Sequence, residues 1–245
     1  EQTPTLLKMR YSLDFIFYTL PKYYREMKPL VIAAMNEKYE AIQQRAAELV
    51  CLASLNSEVA NDAEVFADVN ELLDSAFTGL PTWRRGIANI YVHNVDNGKY
   101  TEICLENLAK LLNDPDDQVR RFIAGMVMKL NGDSFPQSLD FITKYANNDN
   151  PVDGDHTLTE YLWEYGTIDP KWSLSVVDIL LDNRYKLEIP TQYRNGEYLV
   201  RLILRIYADQ SLSPNIRESV LNTFDNLMLA FPGETIKILN EWDRR

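Results

Sequence analysis

NDPDDQVRRFIAGMV, residues 113–127, is the stretch that decides how this chain is read. Asn113, Asp114 and Pro115 precede Val119 and the pair Arg120-Arg121, and a small residue, Ala124, follows inside an apolar run. Asn and Asp accept hydrogen bonds from the first free amides of a helix, and proline is tolerated in its first turn. The segment therefore predicts a turn and then a helix, with Asn113 or Asp114 as the cap and Pro115 early in the helix.

The pattern has copies. Trp83-Arg84-Arg85-Gly86-Ile87-Ala88 lies 36 residues before Val119-Arg120-Arg121-Phe122-Ile123-Ala124. A looser copy, Ile42-Gln43-Gln44-Arg45-Ala46-Ala47, precedes it by another 41, and Ile216-Arg217-Glu218-Ser219-Val220-Leu221 follows Val119 by 97. In each, a small or apolar side chain four or five positions after the first apolar residue lets one helix sit close to the next. An arginine near a helix N-terminus opposes the macrodipole. Arg84, Arg120 and Arg217 are therefore expected at structural repeat positions, paired with acids of an adjoining turn or repeat such as Asp114, Asp116 and Asp117.

Helical periodicity runs through nearly the whole chain. Val65, Val69, Leu72, Leu73 and Phe77 make one stripe, and Ile103, Leu105, Leu108, Leu111 and Leu112 make another. No alternation of period two is long enough for a sheet. Breaks at TGLP (78–81), VDNG (95–98), NDP (113–115), NGDSFP (131–136), SLSP (211–214) and FPG (231–233) delimit helices of roughly 12 to 18 residues. Residues 147–170 and 183–196 fit no copy and are expected to be irregular inserts. The expected fold class is all-α, a single domain over residues 1–245.

Two helices per unit at a period of 36 to 41 residues resembles HEAT and armadillo repeats. That resemblance implies an α-solenoid of stacked antiparallel helical hairpins, in which each hairpin buries its apolar face only against its neighbours. Residues 197–245, through Ile216-Arg217, Leu221, Phe224-Asp225, Leu227-Met228 and Trp242-Asp243-Arg244, also resemble the helical repeat tail of bacterial STAND-type P-loop ATPases. In that family such repeats sense a ligand for an N-terminal motor, which this chain lacks. The resemblance implies a cytoplasmic, bacterial sensor region with a covalent continuation to an N-terminal domain, and the chain's first residue, Glu1 rather than Met, agrees with it.

Composition narrows the function. Hydrophobic residues make up 46% and charged residues 25% of the 245, which suits a packed protein. Nine glycines are few for phosphate-cradling loops, and neither a GxxxxGK[ST] loop nor a GxSxG elbow occurs. With two histidines, His93 and His156, and no His-Glu, HExxH or CxxC, the chain lacks familiar metal-ligand spacings, including those of HEAT-like di-iron hydroxylases. No cofactor is implied. Cys51 and Cys104 lie far apart in apolar contexts and read as buried free thiols of a reducing compartment. No apolar run reaches the ~18 residues that cross a bilayer.

Charge is the remaining signal. The net charge of −11 is concentrated in two segments without a basic residue, 58–79 and 145–170, which hold 12 of the 36 acids. An acidic surface repels a phosphate backbone and favours a basic protein or peptide. Candidate partner-binding residues are Asp68, Glu71 and Asp74 in the first segment, and Glu160, Tyr161, Trp163, Glu164, Tyr165 and Trp172 in the second. The same acids also suit a solvated helix face, and the same aromatics suit gap-filling between helices. HEAT-like alkylpurine DNA glycosylases resemble the chain in size and helical build, but their DNA-holding face is strongly basic. The expected function is a non-enzymatic binding or scaffold module, with such a glycosylase as the alternative.

Overall fold

The computed structural model describes residues 8, 23–130, 135–148, 156–183 and 196–242. Among these residues there are thirteen α-helices, one short 3-10 turn and no strand. None of the helices is long and apolar enough to cross a membrane. The chain divides into two compact units, Glu1–Phe122 and Ile123–Arg245.

Unit 1 contains α1 (Tyr24–Met35), α2 (Glu40–Ser54), the short α3 (Ser57–Ala60), α4 (Ala63–Thr78), α5 (Pro81–Asp96), α6 (Thr101–Lys110) and the start of α7 (Asp117–Met126). Local chemistry sets the boundaries. Asp62 Oδ1 accepts from the amides of Glu64 and Val65 at 3.1 Å and so starts α4, and Pro81 occupies the first turn of α5. Beyond α5, Gly98 takes φ +65°, a left-handed conformation glycine adopts without steric cost.

The tightest seam joins α2 to α5. Ala46, Ala47, Leu49 and Cys51 of α2 meet Gly86, Ile87, Ala88 and Tyr91 of α5, all buried. Gly86 is what permits the approach. A Cβ there would run into the Gln44 carbonyl oxygen and stand 3.0 Å from Ala47 Cβ and 3.2 Å from Glu48 N. Burying a leucine- or isoleucine-sized side chain contributes roughly 1.5–3 kcal/mol, so close backbones lined by small residues keep their larger neighbours fully packed.

A row of charged pairs ties successive helices of unit 1. Glu48 accepts from Arg45 at 2.8 Å and from Asn89 of α5 at 2.8 Å. Arg84 of α5 forks onto Asp114, with Nε to Oδ2 at 2.6 Å and Nη2 to Oδ1 at 3.1 Å, and also donates to the Gly79 carbonyl. Arg85 lies 3.8 Å from Glu40 and 3.7 Å from Asp116, and Arg120 bonds the Asp114 carbonyl and Asp117. Arg217 differs: it donates at 3.4 Å to the Asp209 carbonyl of its own preceding turn.

The structure corrects several local expectations. The cap of α7 is Asp116, whose Oδ1 accepts from Gln118 N at 2.9 Å and Val119 N at 3.2 Å. Asp114 instead accepts from the Asp116 amide and serves Arg84, which leaves Pro115 outside the helix. Ile103 is 51% exposed, off the stripe formed by Leu105, Leu108, Leu111 and Leu112. Residues 147–170 are not wholly irregular, because His156–Tyr165 is a helix; Asp149, Asp153 and Asp155 lie outside the described residues. So do residues 184–195 of the second expected insert.

Unit 2 contains the end of α7, the turn Val127–Lys129, α8 (Phe135–Ala146), α9 (His156–Tyr165), α10 (Pro170–Asn183), α11 (Gly196–Ala208), α12 (Pro214–Ala230) and α13 (Pro232–Trp242). Leu199, Val200, Leu202, Ile203 and Ile206 make α11 its apolar centre, packed by α9, α12 and α13. Asp178 of α10 accepts from Thr223 Oγ1 of α12 at 3.0 Å. Burial raises the Asp178 carboxyl above its ordinary range, the Thr223 bond opposes this, and Asp182 adds repulsion. A carboxyl with a raised native pKa holds its proton more tightly folded than unfolded. Its charge therefore costs stability as pH rises from the ordinary carboxylate range to the native value, and costs nothing below both. Asp178→Asn should raise the melting midpoint at about pH 7 and leave it unchanged at about pH 3, as calorimetry at the two pH values would show.

Both cysteines are free and buried. Burial pushes the Cys51 thiol well above its ordinary value despite a hydrogen bond with Tyr91, and pushes Cys104 up to about 12. Thiolate, not thiol, is the nucleophile. Neither cysteine should react with an aromatic disulfide reagent at neutral pH in the folded chain, and both should react in denaturant; rapid labelling of the native protein would contradict this burial.

Candidate functional site

The acids of α4 lie opposite bases of α1 on an exposed surface. Arg25 of α1 bonds Glu64, and Lys28 lies 3.3 Å from Asp68 and 3.8 Å from Glu71. Asp62 is spent on the α4 cap. Of the three candidates in this segment, Asp68 and Glu71 thus have a cation from α1, whereas exposed Asp74, one turn further, forms no ion pair among the described residues.

The second candidate group is knitted into unit 2. Tyr161 is fully buried; its hydroxyl donates to the Leu130 carbonyl at 2.6 Å and lies 3.1 Å from Ser138 Oγ. Trp172 Nε1 donates to Thr143 Oγ1 at 3.0 Å and to the Leu139 carbonyl at 3.2 Å, and its ring meets Phe135 edge-on at 5.8 Å. Tyr165 packs 5.0 Å from Tyr161. The guanidinium of Arg205 covers the Trp163 ring at 4.4 Å and bonds the Trp163 carbonyl. Glu164 is exposed and Glu160 half-buried, but the aromatics beside them face neighbouring helices.

Asp74 opens instead onto a cleft in unit 1, with a volume of about 920 Å³. One wall is the face of α4 that carries Asn70, Leu73, Asp74, Phe77 and Thr78 at helical spacing; the other is Asn107, Lys110 and Leu111 of α6. Both helices pack on α5, whose Arg84 reaches the cleft together with Asn113, Asp114 and Pro115. Arg84 and Asp114 neutralise each other. Lys110 is exposed, with Nζ 2.7 Å from Asn107 Oδ1 and 5.8 Å from the Phe77 ring centroid.

Chemically the cleft is a mixed surface. Leu73, Phe77 and Leu111 supply apolar area, three asparagines supply carboxamides, and Asp74 and Lys110 supply opposite charges without an ion-pair partner among the described residues. Eight of the twelve lining residues are polar, so the cleft is a groove of mainly polar side chains with an apolar strip. Asn70, Phe77, Asn107 and Lys110 carry no sequence signal of their own: Phe77 reads as the last member of a core stripe, and Lys110 as an ordinary helix C-terminal cation. Among the described residues no group of three or more His, Cys, Asp or Glu side chains is placed to hold a metal ion. No protein family, no curated protein and no solved structure matches this chain.

Proposed function

We propose that the chain is a binding module built as a helical-repeat solenoid, and that it takes a basic peptide segment of a protein partner in the cleft between α4 and α6. Asp74 carries this reading. Among the described residues it is the carboxylate of the cleft that no cation pairs with, although Asp68 and Glu71 on the same helix both lie near Lys28. The carboxamides of Asn70 and Asn113 suit a peptide backbone, since each offers donor and acceptor groups as a peptide does, whereas Asn107 is spent on the Ile103 carbonyl and Lys110. The likeness of residues 197–245 to the helical tail of STAND-type ATPases agrees with a sensor role.

Charge recognition at an exposed carboxylate is screened by salt, with a Debye length of about 10 Å at 0.1 M falling to about 3 Å at 1 M. Binding of an arrayed library of basic peptides to the chain should weaken steadily between these concentrations and be lost in Asp74→Lys. Retention of the same peptides by Asp74→Lys, or salt-independent binding, would remove the cleft from the reading. Preference for duplex DNA over every peptide would favour a nucleic-acid enzyme instead.

A further inference from the structure

Asp74 and Lys110 line one cleft from opposite walls, yet they do not pair with each other. Lys110 reaches across from α6 to the Phe77 ring, one helical turn beyond Asp74 on α4, and is held there by Asn107. Among the described residues neither charge is taken up by another ionised side chain. The cleft therefore presents an anion and a cation separated by about one helical turn, on the order of 5 to 10 Å, with an apolar surface between them made by Phe77 and Leu73. The Arg84–Asp114 pair adds no net charge. A ligand carrying only cations would satisfy Asp74 and be opposed by Lys110; one carrying only anions would meet the reverse.

We infer that the cleft takes a bipolar end group: the C-terminal residue of a peptide whose last side chain is basic. The side-chain cation sits on Asp74, the α-carboxylate on Lys110, and the methylene stem lies against Phe77. One lysine or arginine residue with a free carboxylate spans a distance of this order. This rests on the reading of the cleft as a basic-peptide site and narrows it from any basic segment to a chain terminus. A free basic amino acid has the same bipolar chemistry but lacks the backbone that Asn70 and Asn113 would bind.

Fluorescence anisotropy on the full chain separates these possibilities. The probes are the fluorescein-labelled pentapeptide Gly-Gly-Ala-Ala-Arg, its C-terminal amide, and the same peptide ending in alanine, with unlabelled L-arginine as competitor. Amidation and the terminal alanine should each weaken binding about tenfold, the usual size of one charge-assisted contact. Lys110→Gln should bring the free acid down to the amide and leave the amide unchanged. Asp74→Asn should weaken both arginine peptides and leave the alanine peptide unchanged. Both positions are exposed, and circular dichroism will show the variants folded.

Equal affinity of acid and amide would overturn the terminus inference; if Asp74→Asn still weakened both, the basic-peptide reading would stand without it. Absence of binding by every probe, with basic library peptides still held by Asp74, would likewise overturn the inference alone. Peptide affinities unmoved by both substitutions would overturn the inference and the cleft reading together. Competition by L-arginine as tight as by the pentapeptide would assign the site to an amino acid and overturn the chain-end assignment.

Discussion

Gly86→Ala is expected to destabilise unit 1 by about 3 kcal/mol or more, the cost of overpacking where backbone atoms obstruct the new group. The added methyl group meets the Gln44 carbonyl and the Glu48 amide, neither of which can rotate away as a side chain would. The α2–α5 seam must therefore open, and Ile87, Ala88 and Leu49 lose contact with it. Gly125 of α7 is the control, because nothing lies within 4 Å of a Cβ added there. Gly125→Ala should be neutral or stabilising by up to about 1 kcal/mol through helix propensity. Urea denaturation of the two variants, followed by circular dichroism, gives the comparison. Equal midpoints would mean that the seam is not held by backbone proximity.

The second large effect is expected at the Arg84–Asp114 pair. The side chain of Asp114 is 3% exposed and that of Arg84 14%. Removing one member of a buried pair leaves the other charged and unpaired, at a cost of about 3–5 kcal/mol. Arg84→Ala should show this in full, because it also strips the bond to the Gly79 carbonyl and leaves the Asp114 carboxylate buried. Arg84→Lys keeps the charge but not the two-pronged geometry, and should fall between wild type and alanine. A double-mutant cycle with Asp114→Ala isolates the coupling. A coupling near zero would reduce the pair to two separately solvated groups.

These two sites show how the sequence carried the helical build of unit 1. Arg84 and Ala88 both belong to the segment that repeats Val119–Ala124, and the structure buries the small residue Ala88 on α5, near the close approach that Gly86 permits, and puts the arginine in a pair 30 residues apart in sequence. Helical periodicity is legible because one face of each helix meets the core, as Val65, Val69, Leu72 and Leu73 do. The cap of α7 was harder to place. Three aspartates within four positions offer the same chemistry, and only the long-range pull of Arg84 on Asp114 decides which one is free to cap.

The site was much less legible. A run of acids does not show that Lys28, some 40 residues upstream, answers two of them and leaves Asp74 alone. Nor does the sequence distinguish Tyr161, whose hydroxyl is bonded in the core, from an aromatic that faces a ligand, since both occupy the same helical register. The cleft arises because α4 and α6 both lean on α5, and its lining comes from three separate stretches of chain. Periodicity within one helix contains no information about a gap between two others.

The reach of the side-chain bonds has a consequence for how this protein comes into being. Trp83 to Met35 spans 48 residues, Thr223 to Asp178 spans 45, Arg205 to Trp163 spans 42 and Asn89 to Glu48 spans 41. The main packed pairs are helices one, two or three positions apart. A chain that closes only short loops meets a small entropic barrier and folds fast. Each helix can find its partners soon after it leaves the ribosome, before the distant remainder has been synthesised. The same economy makes the turns tolerant places for insertions, because such a change disturbs few contacts beyond the neighbouring helices.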